Sequence, residues 1–198
     1  MVVKSIIMFS PNFDLSNSGF QGSHRFYEII QQIGQPKKVP KGRQIIKEGT
    51  LATFFLYIKK GAFKTIVKTT KKDFVLAFTF ADDIDCCPIA LLHNLPNNFS
   101  IEAVVNSEVL ICHFADFKRV AGKDEYAKVA NNILLHYAMF LEEQVKEFLS
   151  LTAEERYFKL LHTQPDKLKQ IPLTLIASYL GITLERLSRI RKKIKALT

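Results

Sequence analysis

The sequence has few features of membrane, secreted or metal-binding proteins. No uninterrupted apolar run in its 198 residues approaches the roughly 18 to 20 residues that a membrane-spanning helix needs. The apolar run at residues 6–9 is too short for the core of a signal peptide. Only three cysteines occur, Cys86, Cys87 and Cys112, and no CxxC pair points to zinc or an iron–sulfur cluster. We therefore expect reduced thiols, no bound metal, no membrane contact and a cytoplasmic location.

The side-chain combinations that indicate an enzyme are also missing. No paired carboxylates, Ser/His/Asp set or phosphate-binding glycine loop stands out. His93 and His113 lie near Cys87 and Cys112 in the sequence, but nothing fixes either histidine as the base that a catalytic thiol needs. We expect no catalytic activity, and an enzyme that uses Cys87 or His93 is the weaker alternative.

What the chain does have is a hydrophobic core and an excess of positive charge. Apolar residues make up 47% of the sequence, so it can fold, and 28 Lys and Arg against 19 Asp and Glu give a formal charge of +9. Residues 151–198 hold ten basic and four acidic residues, so they carry +6 of this excess. The distribution indicates a polyanionic partner for the last quarter of the chain.

Hydrophobic periodicity divides residues 1–122 into an arm, a helix and a series of short strands. Residues 1–23 show no sustained period, and we expect a flexible arm. Apolar spacing predicts a helix over 24–33, and alternation within 44–114 then predicts short strands. Gly42, Gly49 and Gly61 fall where these strands turn. The pattern is typical of a compact antiparallel sandwich or barrel over 24–122.

From Lys123 to residue 150 the period is helical, and two apolar series share one helix. One series can cover the β-domain, and the other predicts pairing with a second copy of the chain. A single buried helix in a monomer is the alternative. The residues expected in the dimer interface are Ala130, Leu134, Tyr137, Leu141 and Phe148.

The segment after this helix predicts a hinge and a helix-turn-helix. Thr152 and Glu155 have the spacing of a capping box, which begins a new helix and a new domain over 151–198. Further on, Pro172 can open a helix, Gly181 permits a sharp turn, and Thr183 can cap a second helix. A basic helix end that is merely solvated is the alternative for this last helix.

The layout resembles the Crp/Fnr family of bacterial transcription regulators. The resemblance rests on KGRQIIKEGTLATFFLYIKKGAFKTIV and FSIEAVVNSEVLICHF in the β-domain, and on TAEERYFKLL and IASYLGITLERLSRIRKK near the end. The last two segments are similar to a subgroup found in Bacteroidetes. The resemblance implies an α+β fold: an N-terminal double-stranded antiparallel β-roll of the jelly-roll type, related to cyclic-nucleotide-binding domains, a dimerisation helix over 123–150, and a winged-helix-like head. We expect no counterpart of the β-hairpin wing that follows the second helix in some relatives.

The same resemblance implies a homodimer that binds double-stranded DNA, with RNA polymerase as a further candidate partner. Glu185 and Arg189 match base-reading positions, suited to cytosine and guanine, and Leu184 replaces a common arginine and can contact a thymine methyl group. The residues expected at the DNA are Thr183, Leu184, Glu185, Arg186, Ser188, Arg189, Arg191, Lys192 and Lys193. A ligand-binding module whose basic tail contacts a protein or a membrane is the alternative.

The effector side of the β-roll departs from the family pattern. The Gly-Glu pair and the phosphate-binding arginine of cyclic-nucleotide-binding members are absent, and no Lys or Arg occurs between Lys72 and Lys118. We therefore expect no cyclic AMP, no other cofactor, and either an unidentified small effector or none. The residues that could line an effector pocket are Asp83, Asp85, Cys86, Cys87, Asn97 and Asn98.

Overall fold

A computed structural model describes residues 24–70, 72–163 and 165–195 of the chain. The predicted arm, residues 1–23, lies outside the described residues. Helix α1 (His24–Ile33) forms where apolar spacing predicts it. Its apolar side, which includes Phe26, Ile29 and Ile30, is buried in the core of the β-domain.

Strands within the described residues form two antiparallel sheets that enclose this core. The strands are β1 (Gln35–Val39), β2 (Gln44–Ile46), β3 (Phe54–Lys60), β4 (Ala62–Val67), β5 (Phe74–Phe80), β6 (Ile84–Asp85), β7 (Ser100–Ala103) and β8 (Ser107–His113). One sheet has the order β1-β8-β3-β6 and the other β2-β7-β4-β5. A short helix, α2 (Pro88–His93), lies between β6 and β7. The sequence pattern misses β1, because two of its five residues are lysines and only the last residue is buried.

Strand β5 has apolar side chains buried on both of its faces. Ala77 belongs to the core of the β-roll, whereas Val75, Phe78 and Phe80 belong to a second core that includes the C-terminal helices. A register irregularity accompanies this change of face: Thr65 and Ile66 of β4 pair with Ala77 and Val75, so Leu76 is the extra residue in β5. Strand β5 therefore supports the C-terminal helices directly.

Helix α3 (Phe114–Ser150) is kinked at Gly122, whose φ of 73° and ψ of 173° are not helical. The expected dimerisation helix, 123–150, is the part after the kink. Its Val129, Ile133 and Phe140 are buried in the core of the β-roll. Within the described residues, no helix has both the length and the hydrophobicity needed to cross a membrane.

Four further helices follow α3 in the described part of the chain. They are α4 (Ala153–Thr163), α5 (Pro165–Leu168), α6 (Leu173–Leu180) and α7 (Leu184–Lys195). The predicted capping box is confirmed at the start of α4, where the Thr152 N–H donates to Glu155 Oε2 at 2.7 Å and the Glu155 N–H donates to Thr152 Oγ1 at 3.3 Å. The predicted fold class is confirmed: antiparallel sheets, a long helix and a C-terminal helical head form an α+β protein.

Candidate functional site

The turn between α6 and α7 places the predicted DNA-contacting residues on one exposed helix. Gly181 has a φ of 70°, which glycine adopts without strain, and the Ile182 N–H donates to the Ala177 carbonyl at 3.0 Å. Thr183 Oγ1 accepts a hydrogen bond from the Arg186 N–H at 3.2 Å. Both sequence-predicted turn features, the glycine and the threonine cap, are confirmed.

Helix α7 has one buried face and one exposed face. Leu187 and Ile190 are buried among the helices of the head, so the opposite side of α7 faces solvent. Leu184 is 43% exposed and is not part of the buried stripe. Of the nine predicted residues, Ser188 and Arg191 are half-buried and the others are exposed: Thr183, Leu184, Glu185, Arg186, Arg189, Lys192 and Lys193.

Two of the cations on this face already have carboxylate partners. Arg189 forms an ion pair with Glu185 one turn earlier, and Lys193 Nζ lies 2.7 Å from Glu154 Oε1 at the start of α4. Arg186, Arg191 and Lys192 form no ion pair with the described residues. Exposed pairs of this kind contribute little to stability, so all five cations can turn towards an anionic ligand.

The head is attached to β5 and to α3 by specific polar contacts. The Val75 N–H donates to Ser178 Oγ at 3.1 Å, and Gln144 Nε2 donates to Tyr179 Oη at 3.1 Å. The Tyr179 ring also packs on Phe78, with centroids 5.7 Å apart. Burial raises the pKa of Tyr179 to about 12, so its hydroxyl stays protonated and keeps this hydrogen-bond geometry at neutral pH.

Lys159 on α4 joins the head to α3 a second time. Its Nζ donates to Glu143 Oε1 at 2.7 Å and to Glu147 Oε1 at 2.6 Å. Burial alone would lower the pKa of Lys159, but the hydrogen bonds to the two carboxylates raise it above its usual value. Sequence reasoning missed Lys159, Gln144 and Tyr179 as positioning residues. The spacing of Glu143 and Glu147 on one helix face was the available signal.

The part of α3 after the kink presents large apolar side chains to solvent. Of the five residues expected in a dimer interface, Leu134, Leu141 and Phe148 are 38%, 37% and 60% exposed, and Ala130 and Tyr137 are half-buried. Tyr137 also packs against the core of the β-roll. Three further large residues of this surface are exposed: Leu135, Val145 and Leu149.

The residues predicted for an effector pocket are mostly buried inside the β-roll. Asp83, Asp85, Cys86, Cys87 and Asn97 are buried, and Asn98 is exposed. Cys87 Sγ donates to the Phe99 carbonyl at 3.6 Å, and Asn97 Nδ2 donates to the Thr50 carbonyl at 2.8 Å. Cys87 Sγ and Asn97 Nδ2 are thus used in contacts within the protein, whereas the buried Asn97 Oδ1 and Asp85 Oδ1 have no hydrogen-bond partner among the described residues.

Asp85 is a fully buried carboxyl group of this interior. Its Oδ2 accepts a hydrogen bond from Thr79 Oγ1 at 2.6 Å. Burial, the largest cause, and the nearby Asp83 together raise the pKa of Asp85 to about 7, against the opposing effect of the Thr79 hydrogen bond. Burial likewise raises the pKa of Cys87 and of Cys112 to about 12, so neither thiol is a nucleophile at neutral pH. In the described ranges no three His, Cys, Asp or Glu side chains are placed to hold a metal ion.

Comparison with known proteins agrees with this architecture. Residues 36–124 match the family model of the cyclic nucleotide-binding domain. The structure of FixK2 from Bradyrhizobium japonicum is similar with a TM-score of 0.71 and 20% identity, over 83% of this chain and 86% of that chain. A CooA mutant from Carboxydothermus hydrogenoformans has a TM-score of 0.66 and 15% identity, over 98% of this chain and 89% of that chain.

A third similar structure is a regulator assigned to the Crp/Fnr family, from Eubacterium rectale. Its TM-score is 0.66 at 16% identity, and the match covers 93% of this chain and 87% of that chain. No curated protein matches the sequence. The resemblance read from the sequence is confirmed at the level of fold: the fold is Crp/Fnr-like, with a β-roll of the cyclic-nucleotide-binding type, a long helix and a helical head.

Proposed function

We propose that this Crp/Fnr-like chain is a homodimeric transcription regulator that reads a pseudo-palindromic DNA site with the helix at 183–195. The observation that carries the proposal is the exposed face of α7, which holds four exposed basic residues, with the half-buried Arg191 beside the buried stripe of Leu187 and Ile190. A rigid helix with a basic exposed face suits the major groove, which admits an α-helix. The fold shared with solved regulators supports the same conclusion.

Different residues of α7 would have different roles at the DNA. Arg189 can donate two parallel hydrogen bonds to guanine, and Glu185 can accept from cytosine. These two side chains are paired in the absence of DNA, so binding would exchange their ion pair for base contacts. Arg191 and Lys192 would contact phosphates, which orient the protein without reading sequence.

The proposed dimer forms through the exposed apolar surface of α3. A large apolar surface left in water is unfavourable, and a second copy of the same helix covers it with a matching surface. Two heads would then contact half-sites about one DNA turn apart, roughly 34 Å. RNA polymerase is a further proposed partner, on the resemblance alone.

We also propose that cyclic AMP does not control this protein and that it is not an enzyme. A cyclic phosphate in the β-roll would lie near the buried carboxyl groups of Asp83 and Asp85, with no Lys or Arg between Lys72 and Lys118 to neutralise it. The burial of Cys87, the thiol weighed as a nucleophile, also argues against catalysis.

A selection from random duplexes, followed by gel-shift titration, tests the proposed function. We expect one enriched pseudo-palindrome. Combining Arg189→Ala with Lys192→Ala should weaken its binding by roughly 10- to 100-fold, because a base contact and a phosphate contact are lost. The salt dependence of the remaining binding should fall by about one phosphate contact.

The matched control removes two positive charges elsewhere. Lys68→Ala with Lys128→Ala changes exposed lysines outside the head and should leave binding nearly unchanged. If no duplex is enriched, or if the two double variants bind alike, DNA reading by α7 is wrong. Binding without any sequence preference would favour a basic tail that contacts another partner.

A further inference from the structure

The β-roll carries a strongly basic segment that the DNA-reading helix does not use. Residues 35–72 contain eleven Lys and Arg and one acid, Glu48. The rest of residues 1–150 contains seven basic and fourteen acidic residues, so a nearly neutral total conceals a wide separation of charge. A separation of this size produces a surface potential that attracts anions.

The fold gathers part of this charge in one cleft. Strands β1 and β2 lie at the ends of the two sheets, and a tight turn in which the Arg43 N–H donates to the Pro40 carbonyl at 3.1 Å connects them. The turn contains Gly42, whose φ is 80°. Between the strands lies a cleft of about 300 Å³. It is lined by Lys37, Lys38, Val39, Pro40, Arg43, Gln44, Ile45, Lys47 and Thr50.

The four cations in this cleft have no acidic counterpart there. Lys37, Lys38, Arg43 and Lys47 are exposed and form no ion pair with the described residues. A neighbouring depression of about 420 Å³ shares Lys38 with the cleft and contains Glu108, but the cleft itself has no acidic lining residue. Like charges held close together repel, and a bound anion relieves that repulsion.

We propose that this cleft binds phosphate groups. Arg43 supplies a planar guanidinium that can donate two hydrogen bonds to one phosphate, and the three lysines supply further charge and donors. Val39, Pro40 and Ile45 give the cleft an apolar floor. A volume of about 300 Å³ is at the lower end for small-molecule sites. The phosphate can therefore come from a small phosphate ester or from DNA backbone outside the half-site.

The cleft contains none of the predicted effector or DNA-contacting residues, and it adjoins the effector candidates at Thr50, whose carbonyl accepts a hydrogen bond from Asn97 Nδ2. It opens on the outside of the β-roll, whereas the effector candidates other than Asn98 are buried inside it. Helix α6 packs on β5, at the opposite end of the second sheet from β2, so about three strand spacings, roughly 14 Å, separate the cleft from the strand that carries the head. DNA that extends beyond the half-site could cover this distance. The DNA source depends on the proposed function, whereas the small phosphate ester does not.

Thermal unfolding with and without pyrophosphate tests the site directly, at constant ionic strength set with chloride. We expect pyrophosphate to raise the melting temperature with saturation, since a ligand stabilises the state that binds it. Combining Lys37→Gln with Arg43→Gln should weaken this effect at least tenfold. Lys59→Gln with Lys68→Gln removes the same charge from exposed lysines outside the cleft and should behave as wild type.

A second arm distinguishes the two phosphate sources. Gel-shift titration compares a selected duplex that ends at the half-sites with one extended by ten base pairs on each side. If DNA is the source, the extension strengthens binding by wild type and by the control, but not by the Lys37/Arg43 variant. If a free ester is the source, the extension has no effect and pyrophosphate binding remains sensitive to the variant.

The result that overturns the proposal is equal behaviour of the cleft variant and its control in both arms. Lysines at sheet edges also discourage the addition of a strand from another chain. If that were their only role, the cleft variant would aggregate and its phosphate binding would not change. Lys38→Gln with Lys47→Gln provides a second cleft variant should the first one fold poorly. Pyrophosphate binding in a protein that binds no duplex would refute the proposed function and leave this site standing.

Discussion

Asp85 is a carboxyl group held where its charged form is unfavourable. It is fully buried, and its pKa is raised to about 7. Between the ordinary pKa of an aspartate, near 4, and this value, the folded chain keeps a proton that the unfolded chain has released. The free energy of unfolding must therefore fall as pH rises through this window and level off above it.

We predict that Asp85→Asn removes this part of the pH dependence. The amide cannot ionise and is close in shape to the protonated acid, so the variant should be more stable than wild type at pH 8. The gain in melting temperature is roughly 2–4 °C for each kcal/mol recovered. Urea unfolding at pH 5 and pH 8 measures the difference. Asp73→Asn, an exposed control, should keep the wild-type profile, and an Asp85 variant with that same profile would contradict the argument.

At the scale of elements, Lys159 bridges α3 and α4 at the corner between them through Glu143 and Glu147. Lys159→Met would leave Glu143 and Glu147 one turn apart with no cation between them, and the Glu147 side chain is only 7% exposed. We expect a loss of about 1–3 kcal/mol in the free energy of unfolding, the usual cost of leaving a buried polar group unpaired. Urea denaturation measures this loss.

The matched control for this corner is Lys146→Met, which removes a lysine from an exposed pair with Glu142 on the same helix. Exposed pairs contribute little, so no measurable change is expected there. If both variants lose the same stability, the bridge between the two helices does not account for the loss, and the predicted role of Lys159 is wrong.

Elements marked by local signals could be predicted from the sequence. The capping box at Thr152, the turn at Gly181 and the cap at Thr183 each depend on residues within five positions, and the hydrogen bonds form as predicted. Helix α1 is similar, since its apolar spacing lies within ten residues. Short-range chemistry therefore located the candidate DNA-reading helix.

Features that depend on distant partners could not be predicted in this way. Strand β1 forms because it pairs with β8, about 70 residues away, and its lysines hide the period of a strand. Gln144 meets Tyr179 only once the head packs on α3. The burial of Asp85 depends on how the two sheets close. Each of these requires tertiary packing that no local period specifies.

At the scale of the whole molecule, α3 has two tasks on different sides. One side is buried against the β-roll through Ile133 and Phe140, and Gln144 and Glu147 contact the head. Another side carries the exposed Leu134 and Leu141. A helix fixed to both domains would transmit their relative position to any partner bound on the exposed side. Pairing of two copies there would set the distance between two heads.

We predict that the chain is a dimer and that Leu134→Glu with Leu141→Glu makes it monomeric, because four carboxylates would then face one another across the paired helices. Sedimentation equilibrium at several concentrations measures the mass. Asn132→Glu adds a carboxylate about 160° around the helix from Leu134, two residues away, and should leave the dimer intact. The monomeric variant should lose preference for the full palindrome over one half-site. A wild-type monomer at tens of micromolar, or a double variant that still pairs, would place the dimer contact elsewhere.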